Sequence, residues 1–126
     1  MKPSIPLLAI VLATAACTSP SEVATSAPLT ITATNGALQL TNGPAQTVFY
    51  FIYERQAAAL INWAPCVDPS RCASLAPRAA TAVPYGTIGG YGPGKTEAIV
   101  WWWHAEPGPA DGSVPGPIGA VVVRLR

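Results

Sequence analysis

Proline and glycine punctuate this chain too densely for long helices: fourteen prolines and eleven glycines fall among 126 residues. Such spacing favours short strands joined by turns. Half of the residues are hydrophobic, too many for a disordered chain, and the length suits one domain. Strand signals begin at Leu29. Leu29 to Thr34 alternates apolar and polar residues, the period of a half-buried strand, and Asn35-Gly36 is a two-residue hairpin signal. Ala37 to Thr41 alternates again and Asn42-Gly43-Pro44 ends it. Thr47 to Arg55 is rich in aromatic and β-branched residues and gives the strongest strand signal in the chain. Ala57 to Trp63 reads as a strand or a short turn of helix before Pro65. Ala79 to Val83, Thr96 to His104 and Gly119 to Arg126 read as strands. Gly89 to Gly94 and Glu106 to Pro117 read as loops.

These elements make about seven short strands at intervals of roughly ten residues, so the expectation is an all-β, antiparallel domain over residues 29–126. The pattern resembles the seven-stranded sandwich of immunoglobulin-like and fibronectin-III-like domains. It lacks the antibody-type Cys–Trp–Cys arrangement, because Cys66 and Cys72 are too close in sequence to bridge two sheets. A small closed β-barrel is the alternative fold.

The N-terminus reads as targeting. Lys2 precedes an uncharged, mostly apolar run from Ile5 to Ala16. The run is too short to span a bilayer, which takes about 20 residues, but it suits a signal peptide. It ends at Thr14-Ala15-Ala16-Cys17, which resembles the lipobox of bacterial lipoproteins. There, small residues precede a cysteine that is diacylated and becomes the mature N-terminus. The family favours Leu where this chain has Thr14. The resemblance implies a signal peptide over 1–16, acylation at Cys17 and membrane anchoring by lipid. Residues 17–28 then form a flexible Ser/Thr/Pro/Ala tether. Thr18, in place of Asp after the cysteine, favours the outer membrane, facing the periplasm, by the resemblance to enterobacterial sorting. The whole chain is similar to small exported lipoproteins that carry an immunoglobulin-like domain.

Two cysteines remain, Cys66 and Cys72. An even remainder in an oxidising compartment implies a disulfide, worth about 2.4 kcal/mol by loop-closure entropy for so short a loop. The spacing does not suit zinc, and His104 is the sole histidine. No cofactor or metal is expected.

Charge excludes some partners. Once Lys2 leaves with the signal segment, six basic residues face six acidic ones, which gives no footprint for nucleic acid. Gly89 to Thr96 matches G-x-x-x-x-G-K-[ST], the phosphate-binding loop, letter for letter. That chemistry needs Lys-Thr to open a helix, and here a strand-like run follows, so no nucleotide is expected. Catalytic groups are sparse: Ser70 and Ser74 lack a nucleophile-elbow context, and Asp68, Glu54, Glu97, Glu106 and Asp111 are scattered.

The aromatic content carries most of the functional weight. In the strand Thr96 to His104, alternation places Ala98, Val100 and Trp102 on one face and Glu97, Ile99, Trp101 and Trp103 on the other. Glu97 marks the second face as outer. The same choice in Thr47 to Arg55 puts Phe49 and Phe51 inside and Tyr50, Ile52 and Glu54 outside. If the two strands are neighbours, Tyr50, Ile52, Trp101 and Trp103 form one apolar platform, unless a loop such as Glu106 to Pro117 covers it. The expected function is a non-enzymatic binding or accessory module, taking an envelope protein or a glycan. The alternatives are an envelope hydrolase built on His104 and a carboxylate, and a purely structural envelope protein.

Overall fold

The computed structural model describes residues 23–26 and 28–126. The expected signal peptide, Cys17 and residues 18–22 and 27 of the expected tether lie outside them. In chain order the strands are β1 (Val23–Ser26), β2 (Leu29–Ala33), β3 (Ala37–Thr41), β4 (Val48–Glu54), β5 (Ser74–Leu75), β6 (Ala80–Pro84), β7 (Glu97–Trp103), β8 (Ala105–Pro107), β9 (Ser113–Pro115) and β10 (Gly119–Arg124). One four-residue helix, α1 (Arg55–Ala58), follows β4.

The strands form two four-stranded sheets, ordered β1-β2-β3-β6 and β10-β7-β4-β5, and a separate β8-β9 hairpin. All the strand pairs within these sheets are antiparallel. The all-β expectation therefore holds, with more strands than seven. Val23–Ser26 pairs with β2, although the sequence placed it in the tether. The expected loop Glu106 to Pro117 holds most of a hairpin. The stretch from Ala57 to Trp63 is not a strand: α1 covers its first two residues, and an irregular segment follows.

Leu29, Ile31 and Ala33 of β2 and Leu38 and Leu40 of β3 point inward. They meet Val48 of β4, Ala98 and Val100 of β7 and Val123 of β10 in one buried cluster. Each Leu, Ile or Val so buried is worth roughly 1.5–3 kcal/mol. The β2–β3 hairpin turns as expected at Asn35-Gly36, with Gly36 at φ 99° and Thr34 N–H donating to the Ala37 carbonyl at 2.9 Å.

Polar ties complete the frame. The buried Tyr85 hydroxyl donates to the Thr34 carbonyl and accepts the Arg126 N–H at 3.2 Å, joining the β2–β3 turn to the last residue of the chain. Asn42, also buried, directs its amide nitrogen at the carbonyls of Gln46 (2.8 Å), Leu75 (3.0 Å) and Ala76 (3.1 Å). It thereby ties the end of β3 to β5 across the two sheets.

Candidate functional site

The β4–β7–β10 ribbon has an apolar outer face. Register places Val122, Ile99 and Tyr53 in one cross-strand row and Ala120, Trp101 and Phe51 in the next. Phe49 and Trp103 end the β4–β7 ladder on the same face. The aromatic rings interlock: Phe51 lies 5.7 Å from Trp101 and 5.9 Å from Tyr53, centroid to centroid. Such spacings add about 0.5–1.5 kcal/mol per pair beyond area burial.

Trp63 closes half of this face. Its ring packs 5.0 Å from Phe51, 4.9 Å from Trp101 and 5.6 Å from Trp103. The segment is held there by a strap: Cys66 and Cys72 form a disulfide, and Trp103 Nε1 donates to the Cys66 carbonyl at 2.8 Å. Inside the strap, Asp68 accepts from the Ser70 N–H (2.9 Å) and Ser70 hydroxyl (2.7 Å), which hold its carboxyl below the usual range, the hydroxyl contributing most. Under the strap Trp103 is only 2% exposed and Phe49 only 3%. Phe51 and Trp101, which Trp63 covers only in part, and Tyr53 and Ile99 beyond it are partly exposed, and Val122 is 43% exposed.

This corrects the expected platform. β4 and β7 are neighbours, and Trp101 and Trp103 do share the outer face, but Tyr50 and Ile52 do not join them. Tyr50 pairs with Trp102 and Ile52 with Val100, on the core side. Phe49 and Phe51 face outward instead. The misleading residue is Glu54, which is buried on the inner side. Its carboxylate caps α1 by accepting the Ala57 N–H at 2.7 Å, and that bond holds its pKa below the ordinary carboxylate value. Trp103 is no surface residue, and its cover is the Trp63 strap, which Leu60 (88% exposed) precedes, not the Glu106 to Pro117 segment.

Beside the strap, at the outer edge of β4, lies a cleft of about 410 Å³. Its lining includes Trp63 and Trp103, which pack on the outer face, with Cys66 and Arg71, and Tyr50, Ile52, Val83 and Ile88, which pack in or against the core, with Thr87. Burial in this wall raises the Tyr50 pKa above its ordinary value. The site residues missed in sequence are Phe51, Tyr53, Trp63 and Val122. A tryptophan two residues before Pro65 was the one available signal for the strap.

The phosphate-loop motif folds otherwise than a nucleotide site. Lys95-Thr96 leads into β7, not a helix, and Lys95 Nζ donates to Gln56 at 2.8 Å. Its first two glycines serve packing: a Cβ at Gly89 would strike the Tyr53 ring, and one at Gly90, at φ 77°, would strike Ala57. His104 faces structure too, its Nδ1–H donating to the Thr47 carbonyl at 2.9 Å and its ring edge-on to Trp102. Ser70 bonds Asp68 within the strap, while His104 bonds Thr47. Among the described residues no group of three or more His, Cys, Asp or Glu side chains converges to hold a metal.

No protein family, curated protein or solved structure matches this chain.

Proposed function

We propose that the protein is a non-enzymatic binding module of the bacterial cell envelope, an immunoglobulin-like domain held at the membrane by acylated Cys17. The carrying observation is the outer face of β4–β7–β10, where Val122, Ile99, Tyr53, Trp101 and Phe51 form a partly exposed apolar surface. Exposed apolar surface of this kind is retained where a partner covers it. The strand order supports the immunoglobulin-like reading: β10-β7-β4 follows the G-F-C order, and β3 beside β6 follows B-E. The lipobox-like Thr14-Ala15-Ala16-Cys17 supports the anchor. By the Thr18 rule the anchor sits in the outer membrane, facing the periplasm. The engagement of His104 with Thr47 disfavours the hydrolase alternative.

Photo-crosslinking amino acids placed at Tyr53, Val122 and Gln39 in cells test the reading. A single envelope component crosslinked from Tyr53 and Val122, and not from Gln39 on the opposite sheet, is the expected outcome. Equal or absent crosslinking at all three positions contradicts it. Cys17→Ser tests the anchor: release from the membrane or blocked processing is expected, and unchanged fractionation contradicts it.

A further inference from the structure

The cleft beside the strap is bounded by an unfinished strand edge. β5 is two residues long and pairs only with Val48 and Phe49. One residue on, the Tyr50 N–H still donates to the Ala73 carbonyl at 3.2 Å. At the far end the Glu54 N–H donates to the Gly89 carbonyl at 2.8 Å. Main-chain groups alternate along a strand, so residues 50, 52 and 54 direct theirs to this edge, away from β7. The Tyr50 carbonyl and the Ile52 N–H lie between the two bonds. Among the described residues no strand stands opposite them.

The walls of this gap suit an extended chain. Those walls lie on the two faces of the sheet: Trp63 and Trp103 on the outer side, Val83 and Ile88 on the inner. Successive side chains of a strand point to opposite faces, so both walls would be met by one short segment. The cleft's volume, about 410 Å³, lies within the range of ligand sites. Arg71 is the one charged residue in the lining. Its side chain is 83% exposed, with only a 3.6 Å approach of Nε to Asp68, which leaves its other guanidinium donors available to a ligand in the cleft.

We propose that this gap in the edge of β4 receives an extended peptide as an added strand, with apolar side chains in the cleft and an acidic side chain at Arg71. The main-chain pair at Tyr50 and Ile52 supplies the register, and the aromatic wall supplies the selectivity. A glycan lacks the strand-spaced amides that the edge requires. The proposal rests on the reading of the protein as a binding module and names its partner as polypeptide.

The probe is a displayed library of random linear nonapeptides, selected on the full chain in lipid nanodiscs. Selected peptides, resynthesised, are measured by fluorescence anisotropy. Enrichment of alternating apolar residues with an Asp or Glu is expected. N-methylation at alternate peptide residues should weaken binding at least tenfold in one parity and little in the other. Thr87→Trp, at the exposed lip, should also weaken it at least tenfold, Arg71→Ala several-fold, and Gln39→Ala, on the opposite sheet, not at all. Binding that is indifferent to peptide N-methylation overturns the proposal, as does a library that yields no binder. N-methylation alters only the peptide, so it stays decisive even if Thr87→Trp misfolds. Failure here beside specific crosslinks from Tyr53 and Val122 removes the added strand and leaves the binding module. Failure of both removes both.

Discussion

The two four-stranded sheets finish their outer faces in opposite ways. On β2–β3–β6 the outer rows are Thr32, Gln39 and Ala82, then Thr30, Thr41 and Ala80, all small or polar. On β4–β7–β10 the outer rows are aromatic and aliphatic, and an irregular segment with its own disulfide has been laid over one end. The first face needs only water. The second has apolar area on both sides of the sheet; part of it is covered from within the chain, and the rest is the surface we propose a partner covers. A single surface is thus divided: Trp103 and Phe49 are buried in the fold, while Phe51, Tyr53, Trp101 and Val122 remain within reach of solvent.

Substitutions at the covered end should break the comparison hardest. Trp103→Ala should cost about 3–5 kcal/mol by chemical denaturation, because a buried aromatic is truncated and the Cys66 carbonyl loses its donor. A substitution such as Gln39→Ala, on the opposite outer face, should stay within about 0.5 kcal/mol. A cost at Trp103 no larger than at Gln39 would mean that the strap does not seal the face.

Removing the strap's crosslink comes next. Replacing both Cys66 and Cys72 with Ser should destabilise the domain by about 2.4 kcal/mol on the chain-entropy account. It should also expose Trp103, seen as a red shift in tryptophan emission. Loss of stability without the shift would assign the disulfide to the unfolded chain alone and sever it from the cover.

The smallest effect concerns Glu54, whose carboxylate belongs to the core side of the same ribbon. Its pKa is depressed in the folded state, chiefly by the Ala57 N–H. The stability it contributes is therefore complete above the ordinary carboxylate range and is lost as pH falls through the lower folded value. Glu54→Gln should retain the cap and flatten the stability profile below about pH 4.5. An unchanged acid limb would contradict the capping role.

The same contrast explains what was legible in the sequence. β2 and β3 alternate cleanly, Asn-Gly marks their turn, and Leu29, Ile31, Leu38 and Leu40 identify the core face without structure. β4 offers no such mark, since Phe49, Phe51 and Tyr53 are as apolar as Tyr50 and Ile52. Glu54, the one polar residue that breaks the tie, points inward to cap a helix only four residues long. On β7 the equivalent mark, Glu97, reads correctly because it is partly exposed and pairs with Arg55 at 3.0 Å. The cysteine pair was readable from its even count. The position of Trp63 over Phe51 and Trp101 was not, because it depends on the path of an irregular segment. Nor was β5, whose two residues carry too little pattern, yet whose brevity leaves the β4 edge open.

The proposed division of the aromatic face between fold and partner is tested most directly by hydroxyl-radical footprinting of the full chain, purified in nanodiscs and again in intact envelopes. Tyr53, Phe51 and Trp101 should be oxidised in the purified protein and protected in the envelope, while Trp103 is protected in both. Equal oxidation of Tyr53, Phe51 and Trp101 in the two preparations, or ready oxidation of Trp103 in the purified protein, would contradict the account.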